Sequence, residues 1–282
     1  MIIFLSTDEI IWKKFVEFIN QTPTMKTFYK PSEAIKWTKE RLFTHGYTVK
    51  TEKWQGIESP DDMWEVMNHS FQFFIPHTIE DLVTEVRPNI PWADDHFEER
   101  IGGEPLNPPP SNEWWPYNQK KNERFKKDAK FSHTYPERIW PKFASEEPNS
   151  KLSGIRFDYG DFGDVINLIQ KEPFTRQAFL PIWFPEDTGT VHGERVPCTI
   201  GYHFMRRGEN LHIVYYIRSC DYIRHFRDDV YMACRKLMHV LDTLKERDPE
   251  RWNHVKPGYF AMHITSLHCF NSEKGILKQS NM

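Results

Sequence analysis

The stretch Pro197–Asp221, PCTIGYHFMRRGENLHIVYYIRSCD, contains two runs of alternating side chains separated by a turn. The spacing predicts two strands, Gly201–Arg206 and Leu211–Arg218, joined by the Gly-containing segment Arg207–Asn210. In the second run the odd-numbered side chains share one face of the strand and the even-numbered side chains share the other. The stretch therefore predicts a β-hairpin with one apolar face.

A long amphipathic helix is predicted directly after this hairpin. Apolar residues recur there at helical spacing, namely Val230, Ala233, Leu237, Val240, Leu241 and Leu244. Asp228 or Asp229 is well placed to cap this helix or to stand as an acid in its first turn. A hairpin followed by a long helix is typical of a mixed α/β protein.

The rest of the chain is predicted to alternate between helices and strands. Helices are expected over residues 8–45 (with a break at Lys30-Pro31-Ser32), Asp61–Val66 and Gly160–Ile169, strands near Tyr47–Trp54 and Phe71–Ile75, and a long loop over Arg100–Pro116. Six basic residues between Lys120 and Lys130 are interpreted as a solvated helix face or as a docking surface for a polyanionic substrate tail. No repeat or break in composition divides the chain, so a single domain is expected.

Composition excludes several classes of protein. The 282 residues include 39% hydrophobic and 15% aromatic residues, which is too many for a disordered chain. The net charge of −3 argues against a dedicated nucleic-acid binder, and no apolar run is long enough to span a bilayer. Four cysteines without paired spacing predict neither a disulfide framework nor a zinc motif, and indicate a reducing compartment.

Cys198 is the candidate nucleophile. It lies just before the first strand of the hairpin, and Arg218 lies at the end of the second strand, so the hairpin can bring the two side chains together. A nearby guanidinium favours the thiolate, which is the nucleophilic form of cysteine. A buried, unreactive cysteine is the competing interpretation, and on spacing alone it is favoured.

Several motifs in a fixed order resemble the thymidylate synthase family. The resemblance covers about residues 135–270 and rests on Tyr135 with Trp140, Glu172-Pro173-Phe174-Thr175-Arg176, Arg195-Val196-Pro197-Cys198, Arg218-Ser219-Cys220-Asp221 and Ser266-Leu267-His268-Cys269-Phe270. It implies an α/β (α+β) fold with a large mixed sheet flanked by helices and a homodimer formed through the sheet face. We expect one domain over residues 1–282, divergent over 1–134 and recognisable over 135–270.

The resemblance also implies roles for individual residues. Cys198 would add to C6 of a pyrimidine nucleoside monophosphate, with Arg218 and Asp221 counted among the catalytic residues. The phosphate would be held by Arg218, Ser219 and Arg176, the last from the partner subunit, and the sugar by His268. Tyr135, Trp114 and Trp115 would shape the side that binds 5,10-methylenetetrahydrofolate, although core packing is an alternative for the two tryptophans. Proton transfer through water would fall to Glu99, with Glu98 as the alternative.

One departure from the family pattern concerns the residue that recognises the pyrimidine base of the substrate. The residue that reads the base in this family is ordinarily Asn, and the matching position here is Asp229. A carboxyl group suits the cytosine edge, where it accepts from the exocyclic amine and meets N3 through a shared proton. Phe226-Arg227-Asp228-Asp229 and Ser266-Leu267-His268 resemble the phage deoxycytidylate hydroxymethylases more than the synthases. A role for Asp229 as a helix cap alone is the alternative.

Other departures bear on the product and the sugar. Fourteen residues follow His268, whereas the family continues into a lid that keeps water from the reactive intermediate. This shortness predicts a 5-hydroxymethyl product. Phe270 stands where the family has a Tyr that binds the sugar. Because the hydroxyl group near the sugar is absent, CMP is an alternative substrate to dCMP. Gln177 stands where the family has a second Arg.

The resemblance therefore implies a dCMP hydroxymethyltransferase, encoded by a phage and located in the cytoplasm of the infected bacterium. Composition adds the expectation of no nucleic-acid or membrane partner. A dUMP hydroxymethylase or thymidylate synthase is the nearest alternative, and a non-catalytic nucleotide-binding protein is the more remote one. A metal site built from His254, His263, His268 and Cys269 is disfavoured because their spacing matches no ligand pattern.

Overall fold

A computed structural model describes residues 25–54, 57–117, 125–141, 160–188 and 195–279. The part of the predicted helix that precedes residue 25, and Lys120, Lys121 and Arg124 of the basic run, lie outside these ranges. Within them, no helix is both long and apolar enough to cross a membrane.

One mixed sheet of seven strands organises the molecule. Its order is β1-β5-β11-β10-β9-β8, and β2 also pairs with β5. β1–β5 and β10–β11 are parallel pairs, and the other pairs are antiparallel. The strands of this sheet are β1 (Lys26–Phe28), β2 (Tyr47–Val49), β5 (Met63–Phe74), β8 (Phe179–Pro181), β9 (Thr199–Arg207), β10 (Asn210–Asp221) and β11 (Lys256–Phe270); β3 (Lys53–Trp54) with β4 (Ile57–Glu58), and β6 (Lys126–Lys127) with β7 (Lys130–Phe131), form two small hairpins.

Helices flank the large sheet. They are α1 (Pro31–His45), α2 (Ile79–Val86), α3 (Trp92–Ile101), α4 (Tyr135–Ile139), α5 (Phe162–Lys171), α6 (Phe226–Arg247) and α7 (Pro249–Trp252), with 3₁₀ turns at Pro110–Trp114, Pro185–Asp187 and Asn271–Lys278. The parallel strands β10 and β11 are connected through α6 and α7, which is the usual way to cross between parallel neighbours. The predicted mixed sheet flanked by helices is therefore confirmed.

The hairpin and helix predicted after Pro197 are both present. β9 and β10 pair from Asn210↔Arg207 to Ile217↔Thr199, with an irregularity between Tyr216 and Ile217. The odd-numbered face of β10 is buried in the same core as the apolar face of α6, whose shared members include Ile213, Tyr215, Ile217, Val230 and Leu237. Since the strand and the helix bury matching apolar faces, the hydrophobic effect fixes their relative orientation.

Three local predictions are wrong. Lys26–Phe28, inside the helix predicted over residues 8–45, is strand β1, because this segment pairs with β5. Asp61–Val66 is not a helix, because Met63 begins β5, which is hydrogen-bonded to β2 on one side and β11 on the other. Asn68, with φ 53°, interrupts the regular alternation of buried and exposed side chains along this strand, so the sequence pattern does not reveal its first half. Lys126, Lys127 and Lys130 belong to the small β6–β7 hairpin, not to a helix.

Candidate active site

A cavity of about 490 Å³ lies at the end of the sheet where β10 and β11 finish. Its volume is in the range of small-molecule sites. Eight of the predicted site residues line it: Tyr135, Cys198, Arg218, Ser219, Asp221, Asp229, His268 and Trp115. The lining also includes Lys53, Glu65, Trp92, His96, Arg100, Arg195 and His225. Four predicted residues, namely Glu98, Glu99, Trp114 and Arg176, are not part of it.

Arg218 is fixed beside Cys198 by the backbone that carries the cysteine. Its Nε donates to the Pro197 carbonyl at 2.9 Å and its terminal nitrogen to the Val196 carbonyl at 3.1 Å. Its backbone N–H donates to the Cys198 carbonyl at 2.9 Å. The hairpin thus places the guanidinium next to the thiol, as its spacing predicts.

The charges around Cys198 oppose one another. Burial raises the pKa of the thiol, Arg218 and Arg195 lower it, and Asp229 raises it. The net direction is upward, so the free protein holds the thiol mainly protonated. A bound anion or a change at Asp229 therefore alters how readily the thiolate forms.

Asp221 anchors the turn that enters α6. One carboxylate oxygen accepts from the backbone N–H groups of Ile223 and Arg224, both at 3.0 Å, and the other accepts from the Arg224 guanidinium at 2.9 Å. Arg224 also pairs with Glu273. These contacts hold the turn that connects Ser219 to the first residues of α6.

Asp228 and Asp229 are adjacent in the first turn of α6 and have different surroundings. Asp228 is 1% exposed and accepts from the backbone and side-chain nitrogens of Asn89, both at 2.8 Å. Asp229 faces the cavity, and its carboxyl group receives no hydrogen bond from the described residues. Burial raises the pKa of Asp229 to about 7, and the nearby charge of Arg100 opposes that rise. Asp228 therefore has a structural role, and the Asp229 carboxyl group is available to bind a ligand in the cavity.

Glu99 lies behind the cavity wall. Its carboxylate accepts from the backbone N–H and the hydroxyl of Ser111 and lies 3.3 Å from Nδ1 of His96. Burial would raise the pKa of Glu99, but the hydrogen bonds from His96 and Ser111 outweigh burial and lower it. Glu98 is on the outer side of α3, where it pairs with Arg235. The side chains of α3 that reach the cavity are Trp92, His96 and Arg100.

His268 belongs to a polar group on the opposite wall. Its Nδ1 is 3.2 Å from the Ser266 hydroxyl, which in turn donates to the carboxylate of Glu65. Glu65 on β5 is the register partner of His268 on β11. The three side chains offer both donors and acceptors to the cavity, which suits sugar hydroxyl groups.

The aromatic residues divide into those inside and those outside the cavity. Trp115 stacks on His225 with 5.0 Å between ring centroids and 10° between planes, and its indole N–H is buried without a partner among the described residues. Tyr135 lies under the Arg100 guanidinium and accepts from the Thr199 hydroxyl at 3.2 Å. Trp114 is 48% exposed.

Arg176 is in a separate surface groove formed by residues 172–177. Its carbonyl accepts from the Nε2 of His203, which lies on the outer face of β9. Within one chain, Arg176 is therefore not brought to the cavity.

The sequence predicts no role for Lys53, Glu65, His96, Arg100 or Arg195, although Arg195 belongs to the motif that contains Cys198. His96 and Arg100 carry a detectable signal, because residues four apart on a helix share one face. The remaining three come from a short hairpin, from β5 and from the residues before Pro197, and no local pattern links them. Among the described residues, no group of three His, Cys, Asp or Glu side chains could hold a metal ion; His254 accepts from Arg206 and His263 stacks on Tyr216.

Comparison with solved structures identifies the architecture. The thermostable thymidylate synthase A from Bacillus subtilis matches with a TM-score of 0.59 and 14% identity, over 88% of this chain and 83% of that chain. The chain has the thymidylate synthase fold. No protein-family model and no curated sequence matches it. At 14% identity, this likeness concerns the fold.

Proposed function

We propose that the protein is a folate-dependent transferase that converts dCMP and 5,10-methylenetetrahydrofolate to 5-hydroxymethyl-dCMP and tetrahydrofolate. The observation that carries this proposal is the pair Asp228 and Asp229. Asn89 occupies the carboxylate of Asp228, whereas that of Asp229 faces the cavity without a hydrogen bond from the described residues. A role as a helix cap alone does not explain why the Asp229 carboxyl group faces the cavity. This orientation supports a role in reading the base.

The chemistry proposed for the cavity begins at Cys198. Its thiolate forms a bond to C6 of the pyrimidine, the C5=C6 electron pair moves to C4–C5, the C4=N3 pair moves to N3, and N3 takes the proton of Asp229. C5 is then nucleophilic. The folate, when bound, would supply a one-carbon unit at the oxidation level of formaldehyde and would leave as tetrahydrofolate. C5 loses its proton to solvent, water adds to the transferred carbon to give the hydroxymethyl group, and the C6–S bond then breaks, which returns the thiolate of Cys198 and restores the N3 proton to Asp229. Glu99 would exchange protons with the cavity only through His96 or Ser111, because its carboxylate does not line the wall.

The cavity suits both the nucleotide and the folate. Arg218 and Ser219 would hold the phosphate, for which a planar guanidinium is well adapted. The stacked ring of Trp115 and its unpartnered indole N–H suit a flat heteroaromatic ligand with an acceptor atom. His268 would face the sugar, for which dCMP is the nucleotide that the sequence resemblance implies and CMP is the alternative.

A homodimer through the outer face of the sheet is part of the proposal. Ser70, His263, Tyr216 and Phe179 form a row across four strands on that face, with Tyr216 and His263 stacked at 5.2 Å. Phe179 and Ile200 are 37% and 38% exposed there. Arg176 adjoins this row through His203 and would enter the cavity of the second copy.

Action on dUMP is the second candidate. With a pKa raised to about 7, Asp229 is partly protonated at neutral pH, and a protonated carboxyl group can donate to uracil O4 while accepting from N3–H. The two candidates differ only in how Asp229 meets the base.

Exchanging Asp229 for Asn separates the candidates. We expect Asp229→Asn to lower kcat/KM for dCMP and to raise the dUMP:dCMP ratio of kcat/KM by about tenfold or more, since about 1–3 kcal/mol is lost when a polar contact is mismatched. The matched control is Asp228→Asn, which disturbs the Asn89 contacts and should lower stability without changing that ratio. Equal ratios in wild type and Asp229→Asn would refute base reading by Asp229.

A further inference from the structure

Arg100 is a cation buried in the wall of the cavity. Its side chain is 4% exposed, and its guanidinium lies over the Tyr135 ring, 4.1 Å from the centroid. Its Nε has no hydrogen-bond partner among the described residues. A charge in such a place must be held by specific contacts, because burial of an unpaired cation is costly.

Those contacts come from the preceding turn of α3 and from the 3₁₀ turn Pro110–Trp114. A terminal nitrogen of Arg100 donates to Nε2 of His96 at 2.9 Å. Nδ1 of His96 is 2.8 Å from the Ser111 hydroxyl, which donates to Glu99. Trp92 stacks on the His96 ring with 4.8 Å between centroids. We call Arg100, His96, Ser111 and Glu99 the arginine chain.

The direction of hydrogen bonding in the arginine chain is determined by its members. A guanidinium only donates, so Nε2 of His96 is the acceptor and the ring proton is on Nδ1. That proton points to Ser111 and Glu99. Burial, together with the charge of Arg100, lowers the pKa of His96 to about 4, so the imidazole stays neutral as this arrangement requires. The positive charge of the arginine chain is therefore on Arg100.

Arg100 and Asp229 both line the cavity, and the charge of Arg100 acts on the Asp229 carboxyl group, which receives no hydrogen bond from the described residues. The other groups with an electrostatic influence on it, or influenced by it, are Asp228 in α6, Asp221, Cys220 and Tyr215 in β10, Tyr202 in β9, Cys198 before β9, and Tyr135 in α4. The two aspartates raise the pKa of Asp229, and Arg100 lowers it. Arg100 is the cation that opposes burial at Asp229.

We propose that Arg100 is a positioning residue for Asp229: held by His96, Ser111 and Glu99, it supplies the fixed positive charge that lets Asp229 release its proton to a bound base near neutral pH. The proposal extends the function proposed above, in which N3 of the pyrimidine receives that proton. A carboxyl group buried without such a cation would keep its proton and serve poorly as an acid. The arginine chain also gives Glu99 a role that does not require it to touch the ligand.

Carbon-13 NMR of protein labelled at the aspartate carboxyl carbons tests this without requiring turnover. The Asp229 signal is assigned by its loss in Asp229→Asn, and its titration midpoint is followed in wild type and variants. We expect Arg100→Gln to raise the midpoint by about one pH unit or more, Arg100→Lys to stay nearer wild type, and His96→Gln to give an intermediate shift. Arg235→Gln removes a cation that pairs with α3 outside the cavity, and should leave the midpoint unchanged.

A midpoint in folded Arg100→Gln equal to that of wild type would overturn the proposal, and so would an equal shift in Arg235→Gln. Arg100→Met also removes the charge, and tests the same point with an apolar side chain if Arg100→Gln does not fold. In the enzyme assay, the alkaline limb of kcat/KM for dCMP should move upward in Arg100→Gln by the same amount. A shift in the NMR midpoint without turnover on any nucleotide would support the inference and count against the proposed function.

Discussion

At the scale of single residues, Asp228 and Asp229 are neighbours in the first turn of α6 with different surroundings. Asp228 accepts hydrogen bonds from Asn89, and Asp229 faces the cavity. Either could serve as the first-turn acid of α6, and the sequence does not choose between them. In the structure, the Asp228 carboxylate accepts a hydrogen bond from the backbone N–H of Asn89, which is 139 positions away along the chain. A contact of that separation is set by tertiary packing and leaves no local pattern to read.

The nucleophile is also tested at this scale. Cys198→Ala removes the sulfur but not Arg218 or Ser219, so we expect turnover to fall by about a thousandfold or more while the Kd for the nucleotide changes little. Measuring both with the same nucleotide, by product formation and by calorimetry, distinguishes the two effects. Cys220→Ala is the control, since that thiol is buried in the core. An active Cys198→Ala protein would contradict covalent catalysis.

At the scale of elements, the sequence is most informative where one face is apolar and the opposite face is not. The β9–β10 hairpin, α6 and the helix before Pro173 follow from periodicity because each has such a pattern. β5 is predicted only in its second half, as the strand Phe71–Ile75, because the left-handed residue Asn68 interrupts its alternation and its long partner β11 comes from a distant segment. The same holds for the residues of the cavity: sequence motifs contain Cys198, Arg218 and Asp229, whereas Lys53 and Glu65 are brought to it by packing alone.

Helix α6 carries a buried lysine that tests the packing of its core. Lys236 is fully buried, its amine has no hydrogen-bond partner among the described residues, and the rings of Phe97, Phe162 and Tyr202 surround it. Burial lowers its pKa from 10.5 to about 7. The unfolded chain therefore binds this proton more tightly, so the folded state loses stability as pH falls from about 10 to about 7.

Lys236→Met should consequently stabilise the protein. We expect the free energy of unfolding to rise by about 2 kcal/mol or more at pH 7 and by less at pH 10, because near pH 10 the unfolded chain also begins to release this proton. Denaturant unfolding at the two pH values measures the difference. Lys245→Met, near the end of the same helix, controls for helix propensity. Destabilisation by Lys236→Met at both pH values would mean that the amine has a favourable role in the core.

At the scale of the whole molecule, Arg176 lies in a groove separate from the cavity of its own chain. If a second copy supplies it, two inactive variants should complement each other. Mixing Cys198→Ala with Arg176→Ala, after dissociation and reassociation, gives mixed dimers in which one of two sites is intact. We expect about a quarter of wild-type activity, since half of the dimers are mixed. No recovery in reassociated dimers would place Arg176 outside the site.

The proposed function depends on which pyrimidine nucleotide is activated at C5 and on which product is formed from it. The most direct measurement is release of tritium from C5 of labelled dCMP, dUMP and CMP in the presence of 5,10-methylenetetrahydrofolate, with mass analysis of the product. We predict release from dCMP and a product heavier than the substrate by one hydroxymethyl group in place of hydrogen. Release from dUMP alone, or no release from any of the three nucleotides, would contradict the assignment of a cytosine hydroxymethyltransferase.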